Sequence, residues 1–296
     1  MQLPYLLKVA GDCLGDDDWL AKQPCPVIAI GSGVDRQADV VLPDESAAAA
    51  LIAAIENSPT AALVLVQVLR AVEGMPVPHA MTLESLAFGL LQTGPEYQRW
   101  LTERSKPPAL VVEGEGEAIE ITREGSVLRA RMNRPVQRNS LSVEMRDALV
   151  ELLDLVRVDD TITCLELSAA GACFSVGGEL REFGLMPSAT QAHLLRSVHN
   201  PSRLIAAVAD RVHCHLHGAC MGSGIEIPAF AAKVTADRRT FFQLPELRFG
   251  LIPGAGGCVS ISRRIGRQRT AWMALSGRKI NSRTALAWGL VDAISE

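Results

Sequence analysis

The chain has 296 residues, of which 48% are hydrophobic and 21% charged, a composition ordinary for a globular protein with a substantial core. Its formal net charge of -4 argues against a general nucleic-acid binder, because such proteins present a basic field. Its seven cysteines include no C-x-x-C pair, and the sequence shows neither a basic signal-peptide start nor a convincing apolar run of about 18 residues, so we expect a cytoplasmic protein with no membrane partner.

The first part of the chain is predicted to be mainly helical. Residues 25–31 and 39–42 are short apolar runs typical of buried strands. Start and stop signals, such as Asp44 before an Ala-rich run and Gly74 after a Leu/Val-rich one, then predict four helices, over about 46–56, 60–73, 82–92 and 96–102. Consecutive prolines at 107–108 indicate a linker. We therefore predict an N-terminal region over residues 1–108 and a second region over 109–296.

The second part alternates strands and helices. Residues 118–124 and 126–132 predict a hairpin around Gly125. Ser142 is the predicted N-cap of a helix whose apolar residues recur with a period of 3.6. Further along, a strand, a helix and two strands are predicted, over residues 162–169, 189–209, 212–217 and 233–237. This alternation predicts an α/β fold.

Three segments carry the chemistry, ACFSVGGEL at 172–180, HGACMGSGIEIP at 217–228 and FFQLPELRFGLIPGAGG at 241–257. Their glycines let the backbone bend sharply and approach a ligand closely. Free N–H groups at a helix start attract negative charge, and two of them converging from separate turns form an oxyanion hole. Taken alone, each glycine-rich turn is more often an ordinary tight turn of an α/β protein.

Two glutamates lie in these segments. Glu226 falls in the first turn of the helix that follows the Gly222–Gly224 turn, and Glu246 follows Pro245 in an otherwise apolar stretch. An acidic group in apolar surroundings has a raised pKa, which suits proton transfer near neutral pH. Each glutamate also has an ordinary explanation, a charge favoured by the helix dipole for Glu226 and an exposed strand end for Glu246.

In order, spacing and residue type, the segments together resemble the enoyl-CoA hydratase/isomerase (crotonase) family, from about residue 118 to 295. The resemblance implies a crotonase-like β-β-α spiral core, with a helical region placed N-terminally. It implies an enzyme that adds water to a 2,3-enoyl-CoA thioester, with coenzyme A as part of the substrate, no separate cofactor and no metal. Glu226 and Glu246 correspond to the catalytic glutamates, and the backbone N–H groups of Val176 and Ser223 to the oxyanion hole. A homotrimer or hexamer is expected by the same resemblance.

The resemblance also implies substrate contacts and shows some departures. Substrate or CoA contacts are expected at Asn139, Ser140, Leu141, Ser175, Gly177, Gly178, Gly222 and Gly254. Ser223 stands where the family usually has Gly, Glu179 where Asp is commoner, and Arg211 where proline is usual. None of these changes removes a catalytic group, although the hydroxymethyl group of Ser223 adds bulk near the thioester.

The N-terminal helices have a candidate origin. Family members continue past the GLVD strand with several helices, and residues 40–108 resemble those helices. We hypothesise a circular permutation, or a remnant of a tandem duplication, which is tolerable where chain termini lie close together. The alternative is an unrelated helical cap of the same composition. We expect residues 181–200 and the N-terminal helices to form the wall of the substrate pocket.

Other functions remain open on the sequence alone. The family uses one oxyanion hole for isomerisation, thioester hydrolysis and retro-aldol cleavage, so the fold does not select the reaction. A catalytically silent CoA-binding subunit is a further alternative. His213, His215 and His217 alternate on one strand, a spacing that can hold a metal, but packing and hydrogen bonding is the favoured interpretation.

Overall fold

The computed structural model describes residues 6–10, 18–31, 37–104 and 116–295. In chain order the strands are β1 Leu7–Ala10, β2 Val27–Ile30, β3 Val40–Leu42, β4 Ile119–Glu124, β5 Val127–Met132, β6 Cys164–Ala169, β7 Val212–Leu216, β8 Ala219–Met221, β9 Lys233–Asp237, β10 Phe241–Gln243, β11 Ile280–Asn281 and β12 Ala293–Ser295. The α-helices are α1 Glu45–Asn57, α2 Pro59–Val72, α3 Val77–Gln92, α4 Pro95–Glu103, α5 Val143–Val158, α6 Ala189–Val198, α7 Pro201–Ala207, α8 Ser223–Glu226, α9 Gly257–Ile265, α10 Arg267–Ser276 and α11 Ser282–Trp288.

The main sheet has six strands in the order β12-β9-β7-β6-β5-β4. The β4–β5 hairpin is antiparallel, as expected from its short turn, and the remaining pairs are parallel. Along β5, Leu128, Ala130 and Met132 are buried while Arg129 and Arg131 face solvent, the period of two that one packed face requires. The predicted α/β class is confirmed.

A second, three-stranded sheet, β11-β10-β8, positions the three glycine-rich segments. Strand β8 runs parallel to β10, which joins the segment around Met221 to the one that leads into Glu246. Isolated bridges from Ser175 to Cys220 and from Leu141 to Gly178 attach the remaining segment. The three glycine-rich segments, which are far apart in sequence, therefore lie next to one another at this sheet.

Two of the predicted helices differ from those observed. Helix α3 begins at Val77, five residues before the predicted start, because Pro78 is acceptable in a first turn, where its missing N–H has no intrahelical partner. The helix predicted over 189–209 is broken into α6 and α7, where Asn200 caps the N–H of Ser202 and Pro201 starts the new helix.

The N-terminal region packs directly on the rest of the same chain. It consists of the parallel sheet β1-β2-β3 and helices α1–α4, of which α2 contacts α9 and α10, and α3 contacts α6, α7 and α9. Buried Asp39 accepts hydrogen bonds from the guanidinium groups of Arg70 on α2 and Arg267 on α10. Both regions therefore share one core. The predicted linker and the boundary between residues 108 and 109 lie outside the described residues.

Within the described ranges, none of the helices is by itself long and apolar enough to cross a bilayer. Helices α1 and α2 satisfy the length and composition test only as a pair, and they are bent by 106° at the break between them.

Candidate active site

A cavity of about 400 Å³ opens where the three glycine-rich segments meet. Helix α3 contributes Phe88 and Gln92 to its wall, and α6 contributes Arg196, so the expected origin of the wall is confirmed. Of the catalytic and substrate-contact residues expected from the sequence, it is lined by Leu141, Val176, Gly177, Gly178, Gly222, Ser223, Glu226, Glu246 and Gly254.

Three of the expected substrate contacts lie behind this wall instead. The Asn139 side chain accepts from the Arg134 N–H at 2.9 Å and donates to the carbonyls of Ala170 and Cys173. Ser140 donates to the Glu179 carboxylate at 2.8 Å, and the Ser175 hydroxyl accepts from the Gly177 N–H at 3.2 Å. The polar atoms of all three side chains bond protein groups, so their observed task is to hold the wall rather than to line it.

The two expected oxyanion donors differ in their present partners. Ser223 is the first residue of the one-turn helix α8, and among the described residues no acceptor bonds its N–H. The N–H of Val176 donates to the Arg138 carbonyl at 3.2 Å, across a turn in which Arg138 and Asn139 have φ of 53° and 50°. A ligand oxygen would therefore accept a hydrogen bond from the Ser223 N–H directly. To accept one from the Val176 N–H, it would have to share that N–H with the Arg138 carbonyl or displace the carbonyl.

Glu226 is buried, and its Oε2 accepts hydrogen bonds from the N–H groups of Ala255 and Gly257 at 2.8 and 2.9 Å. Burial raises the pKa of Glu226 to about 7, against the opposing effect of these backbone bonds. Gly257 cannot carry a side chain here, because a Cβ would lie 2.6 Å from Cγ of Glu226. The carboxyl is thus held at the cavity with a proton affinity suited to exchange near neutral pH.

Glu246 begins the 3₁₀ turn Glu246–Phe249, which the left-handed Gly250 ends. Burial, and after it the like charge of Glu226, raises the pKa of Glu246 well above its ordinary value. Its Oε2 is buried and has no hydrogen-bond partner among the residues that the structure describes, as is also true of the Ser223 hydroxyl. Two unsatisfied polar atoms at one cavity are costly unless a ligand or solvent meets them.

Glu179 has the opposite electrostatic environment. Arg181 binds it through both carboxylate oxygens, at 2.8 and 2.7 Å, and Ser140 donates to it as well. These bonds, the one from Arg181 foremost, lower the pKa of Glu179 to about 2 despite its burial. Glu179 is therefore a charged residue of the cavity wall that anchors Ser140 and Arg181.

One buried carboxylate at the site was missed in the sequence. Glu84, on α3, is 2% exposed and accepts from the N–H groups of Gly256 and Cys258 at 2.7 and 2.8 Å. The sequence signal that could have indicated a buried carboxylate is a single acidic residue on a helix face of Leu, Ala and Phe. Nothing local in the sequence relates that residue to a loop more than 170 positions away.

The alternating histidines have separate partners. The Nδ1 of His213 lies 3.7 Å from Cys164 Sγ, the Nδ1 of His215 lies 3.0 Å from Thr235 Oγ1, and the Nε2 of His217 lies 3.0 Å from the Gly171 carbonyl. Within the described part of the chain, no group of three or more His, Cys, Asp or Glu residues is arranged to hold a metal ion.

Comparison with known proteins agrees with this arrangement. Residues 122–296 match the sequence model of the family described as enoyl-CoA hydratase/isomerase. The chain is 34% identical to the 1,2-epoxyphenylacetyl-CoA isomerase of Escherichia coli (strain K12) over 57% of this chain and 66% of that protein. It is 30% identical to the 2,3-dehydroadipyl-CoA hydratase of the same strain, over 59% of this chain and 68% of that protein.

Among solved structures, an enoyl-CoA hydratase from Thermoplasma volcanium GSS1 matches with a TM-score of 0.56 and 28% identity, over 61% of this chain and 73% of that one. The core therefore has the crotonase-like fold that the sequence motifs predicted. The chain spans just under two thirds of the length of the Escherichia coli isomerase, at 66%.

Proposed function

The chain belongs to the enoyl-CoA hydratase/isomerase family, and on that basis we propose that it acts on an acyl-CoA thioester, with addition of water to a 2,3-enoyl-CoA as its reaction. The observation that carries the proposal is a pair of buried carboxyl groups, Glu226 and Glu246, at a cavity that also presents the N–H of Ser223. Hydration needs two proton transfers and a site for negative charge, and these groups supply both.

The thioester oxygen would accept hydrogen bonds from the N–H groups of Ser223 and Val176. When a nucleophile adds to C3, the electrons of the double bond move towards the thioester and leave enolate charge on that oxygen. Two N–H groups fixed in a mainly apolar cavity stabilise such charge strongly, since one donor of this kind is worth about 3 kcal/mol. The ligand would displace or share the present Val176–Arg138 bond.

The environments of the two glutamates favour different roles. Glu226 accepts two backbone N–H bonds, which stabilise its carboxylate, so it takes a proton from water as the water oxygen bonds to C3. Burial and the like charge of Glu226 raise the pKa of Glu246 well above its ordinary value, and among the described residues its Oε2 has no partner, so we assign it the role of the acid that delivers a proton to C2. Water is thereby added across the double bond with no change of oxidation state overall, so the reaction needs no cofactor beyond the CoA of its substrate.

Double-bond isomerisation is the second candidate. One carboxyl that shuttles a proton between C2 and C4 suffices for it, and the relative at 34% identity is named as an isomerase. The orphaned oxygen of Glu246 would be free for this task.

The test uses the purified chain with crotonyl-CoA and with longer and aromatic 2-enoyl-CoAs, and with 3-enoyl-CoAs in parallel. Hydration removes the absorbance of the conjugated thioester, whereas isomerisation of a 3-enoyl ester creates it. We expect Glu246→Gln and Glu226→Gln each to slow hydration by about 10²- to 10⁴-fold, the usual range for a general acid or base.

Glu96→Gln is the matched control for these variants. Glu96 is also a buried glutamate that accepts two backbone N–H bonds, from Thr60 and Ala61 at the start of α2, but it does not line the cavity. Its loss should leave the rate within a few-fold of wild type. CoA-ester binding without turnover of any ester would instead indicate a silent binding subunit.

We also propose a homotrimer or a hexamer. Supporting it, Leu86 and Leu90 on α3 and Leu194 and Val198 on α6 are 52–74% exposed, on two helices that pack against each other. Apolar side chains clustered on a surface favour association. Light scattering should give a multiple of three chains for wild type and smaller species for Leu90→Glu/Val198→Glu, and a wild-type monomer would contradict the proposal.

A further inference from the structure

Two buried carboxylates share the start of helix α9. Glu226 accepts the N–H groups of Ala255 and Gly257, and Glu84 accepts those of Gly256 and Cys258. The four consecutive N–H groups therefore alternate between a glutamate of the α8 turn and a glutamate of the N-terminal helix α3. A shift of either carboxylate would therefore change the hydrogen-bond geometry of the other one.

Close packing makes this arrangement stiff. A Cβ on Gly254 would lie 2.3 Å from the ring of Phe88, which is one helical turn after Glu84 on α3. A Cβ on Gly256, whose φ is +96°, would lie 2.5 Å from the ring of Phe230. The loop is thus clamped between α3 on one side and Glu226 on the other, so α3 fixes the backbone groups that orient Glu226.

The two carboxylates also interact electrostatically. A helix start carries a partial charge of only about +0.5, which is less than the charge of two buried carboxylates. Burial and then the like charge of Glu226 raise the pKa of Glu84 to about 8. The other titratable or charged groups around the pair are His193 and Arg196 on α6, Arg203 on α7, Cys258 on α9, and Glu246. Among the described residues none forms an ion pair with Glu84.

We propose that Glu84 is a positioning residue for Glu226: it accepts the N–H groups of Gly256 and Cys258 and so holds the loop whose alternate N–H groups orient the Glu226 carboxyl. The N-terminal region thereby completes the site in which the other segments place the reacting groups. The kinetic consequence rests on the proposed hydration, whereas the coupling between the two carboxyls does not.

The coupling is measured directly on protein carrying ¹³C-labelled glutamate, by following the side-chain carboxyl resonances against pH. The Glu226 and Glu84 signals are assigned from their absence in Glu226→Gln and Glu84→Gln. We expect the titration midpoint of Glu226 to rise in Glu84→Gln, because the loop loses its anchor and the N–H bonds from Ala255 and Gly257, which favour the Glu226 carboxylate, weaken. The midpoint of Glu84 should fall by about one pH unit in Glu226→Gln, because the like charge of Glu226 is removed.

Glu96→Gln again serves as the control, since it removes a buried helix-capping carboxylate elsewhere. It should lower Tm without moving the Glu226 midpoint. If Glu84→Gln also lowers Tm but leaves that midpoint unchanged, Glu84 is a structural cap only and the proposal is overturned. Should Glu84→Gln not fold, the Glu84 midpoint in Glu226→Gln decides the matter alone.

A kinetic measurement separates this inference from the proposed function. If enoyl-CoA esters are hydrated, the acidic limb of the pH–rate profile should move in Glu84→Gln by the same shift as the Glu226 resonance. If no ester is turned over, the proposed function fails, and the carboxyl titrations still support or overturn the coupling.

Discussion

Gly222 and Glu246 are in contact at the cavity, and only a residue without a side chain permits this. A Cβ built on Gly222 would lie 2.6 Å from Oε1 of Glu246 and 3.8 Å from Oε1 of Glu226. The φ of Gly222 is +49°, in the left-handed region that favours glycine. This turn therefore sets how closely the Glu246 carboxyl approaches the start of α8.

Gly222→Ala should displace the Glu246 carboxyl and reduce hydration by at least tenfold, since small misplacements of reacting groups are costly. Gly266→Ala is the control, because Gly266 also has positive φ, +82°, but a Cβ there would meet nothing within 4 Å. Both changes should cost about 1–2 kcal/mol of stability from the backbone conformation. Activity assays and urea unfolding compare them, and equal loss of activity in both variants would contradict the steric explanation.

Glu179→Gln should destabilise the protein at neutral pH by about 2 kcal/mol, the scale of a lost charged hydrogen bond. Because Arg181 lowers the pKa of Glu179 to about 2, its stabilisation is complete above the ordinary glutamate pKa and is lost as pH falls towards 2. The difference between wild type and variant in urea unfolding should thus shrink below about pH 4.5. Glu166→Gln, which breaks a solvent-facing pair with Arg129, should cost less than about 1 kcal/mol.

Stability should decrease as pH rises from about 5 to 8. The pKa values of Glu226 and Glu84, about 7 and about 8, lie above the ordinary value of 4.5, so the folded chain binds more protons than the unfolded chain in this window. The free energy of unfolding then falls by up to about 1.4 kcal/mol per pH unit for each group. Urea curves across this range should show the slope in wild type and a flatter one in Glu84→Gln/Glu226→Gln. An equal slope in both would contradict the assignment.

We propose that the N-terminal region is a displaced part of a circularly permuted core, and the chain order itself can be changed to test this. A variant with residues 109–296 followed by a flexible Gly/Ser linker and residues 1–108 should fold with a similar Tm, because α2 and α3 pack on α9 of the same chain. Residues 109–296 alone should aggregate, since each large apolar side chain exposed by removing α2 and α3 costs about 1.5–3 kcal/mol. Loss of folding in the reordered chain would argue against the hypothesis.

Local signals predicted much of this protein from the sequence. A start signal at Asp44 before an Ala-rich run predicted α1, Ser142 before a period-3.6 run predicted α5, and two runs around Gly125 predicted the β4–β5 hairpin. These succeeded because caps, turns and periodicity act within a few residues of the chain. The glutamates at the cavity were predicted in another way, from the resemblance of the three glycine-rich segments together to the crotonase family.

Only the tertiary structure decided how the site is held. Strand β1 was missed because its four residues form a strand through parallel pairing with β2. A parallel pair has no tight turn between its strands, so the sequence carries no local signal for it. The Val176 N–H is bonded by the Arg138 carbonyl, 38 residues earlier in the chain. Glu84 reaches Gly256 across 172 residues of sequence. Residue type and spacing show which chemical groups the chain carries. Whether a buried carboxyl contacts an N–H group, a like charge or neither depends on packing between elements that are distant in sequence. That environment sets the pKa of the carboxyl and its role.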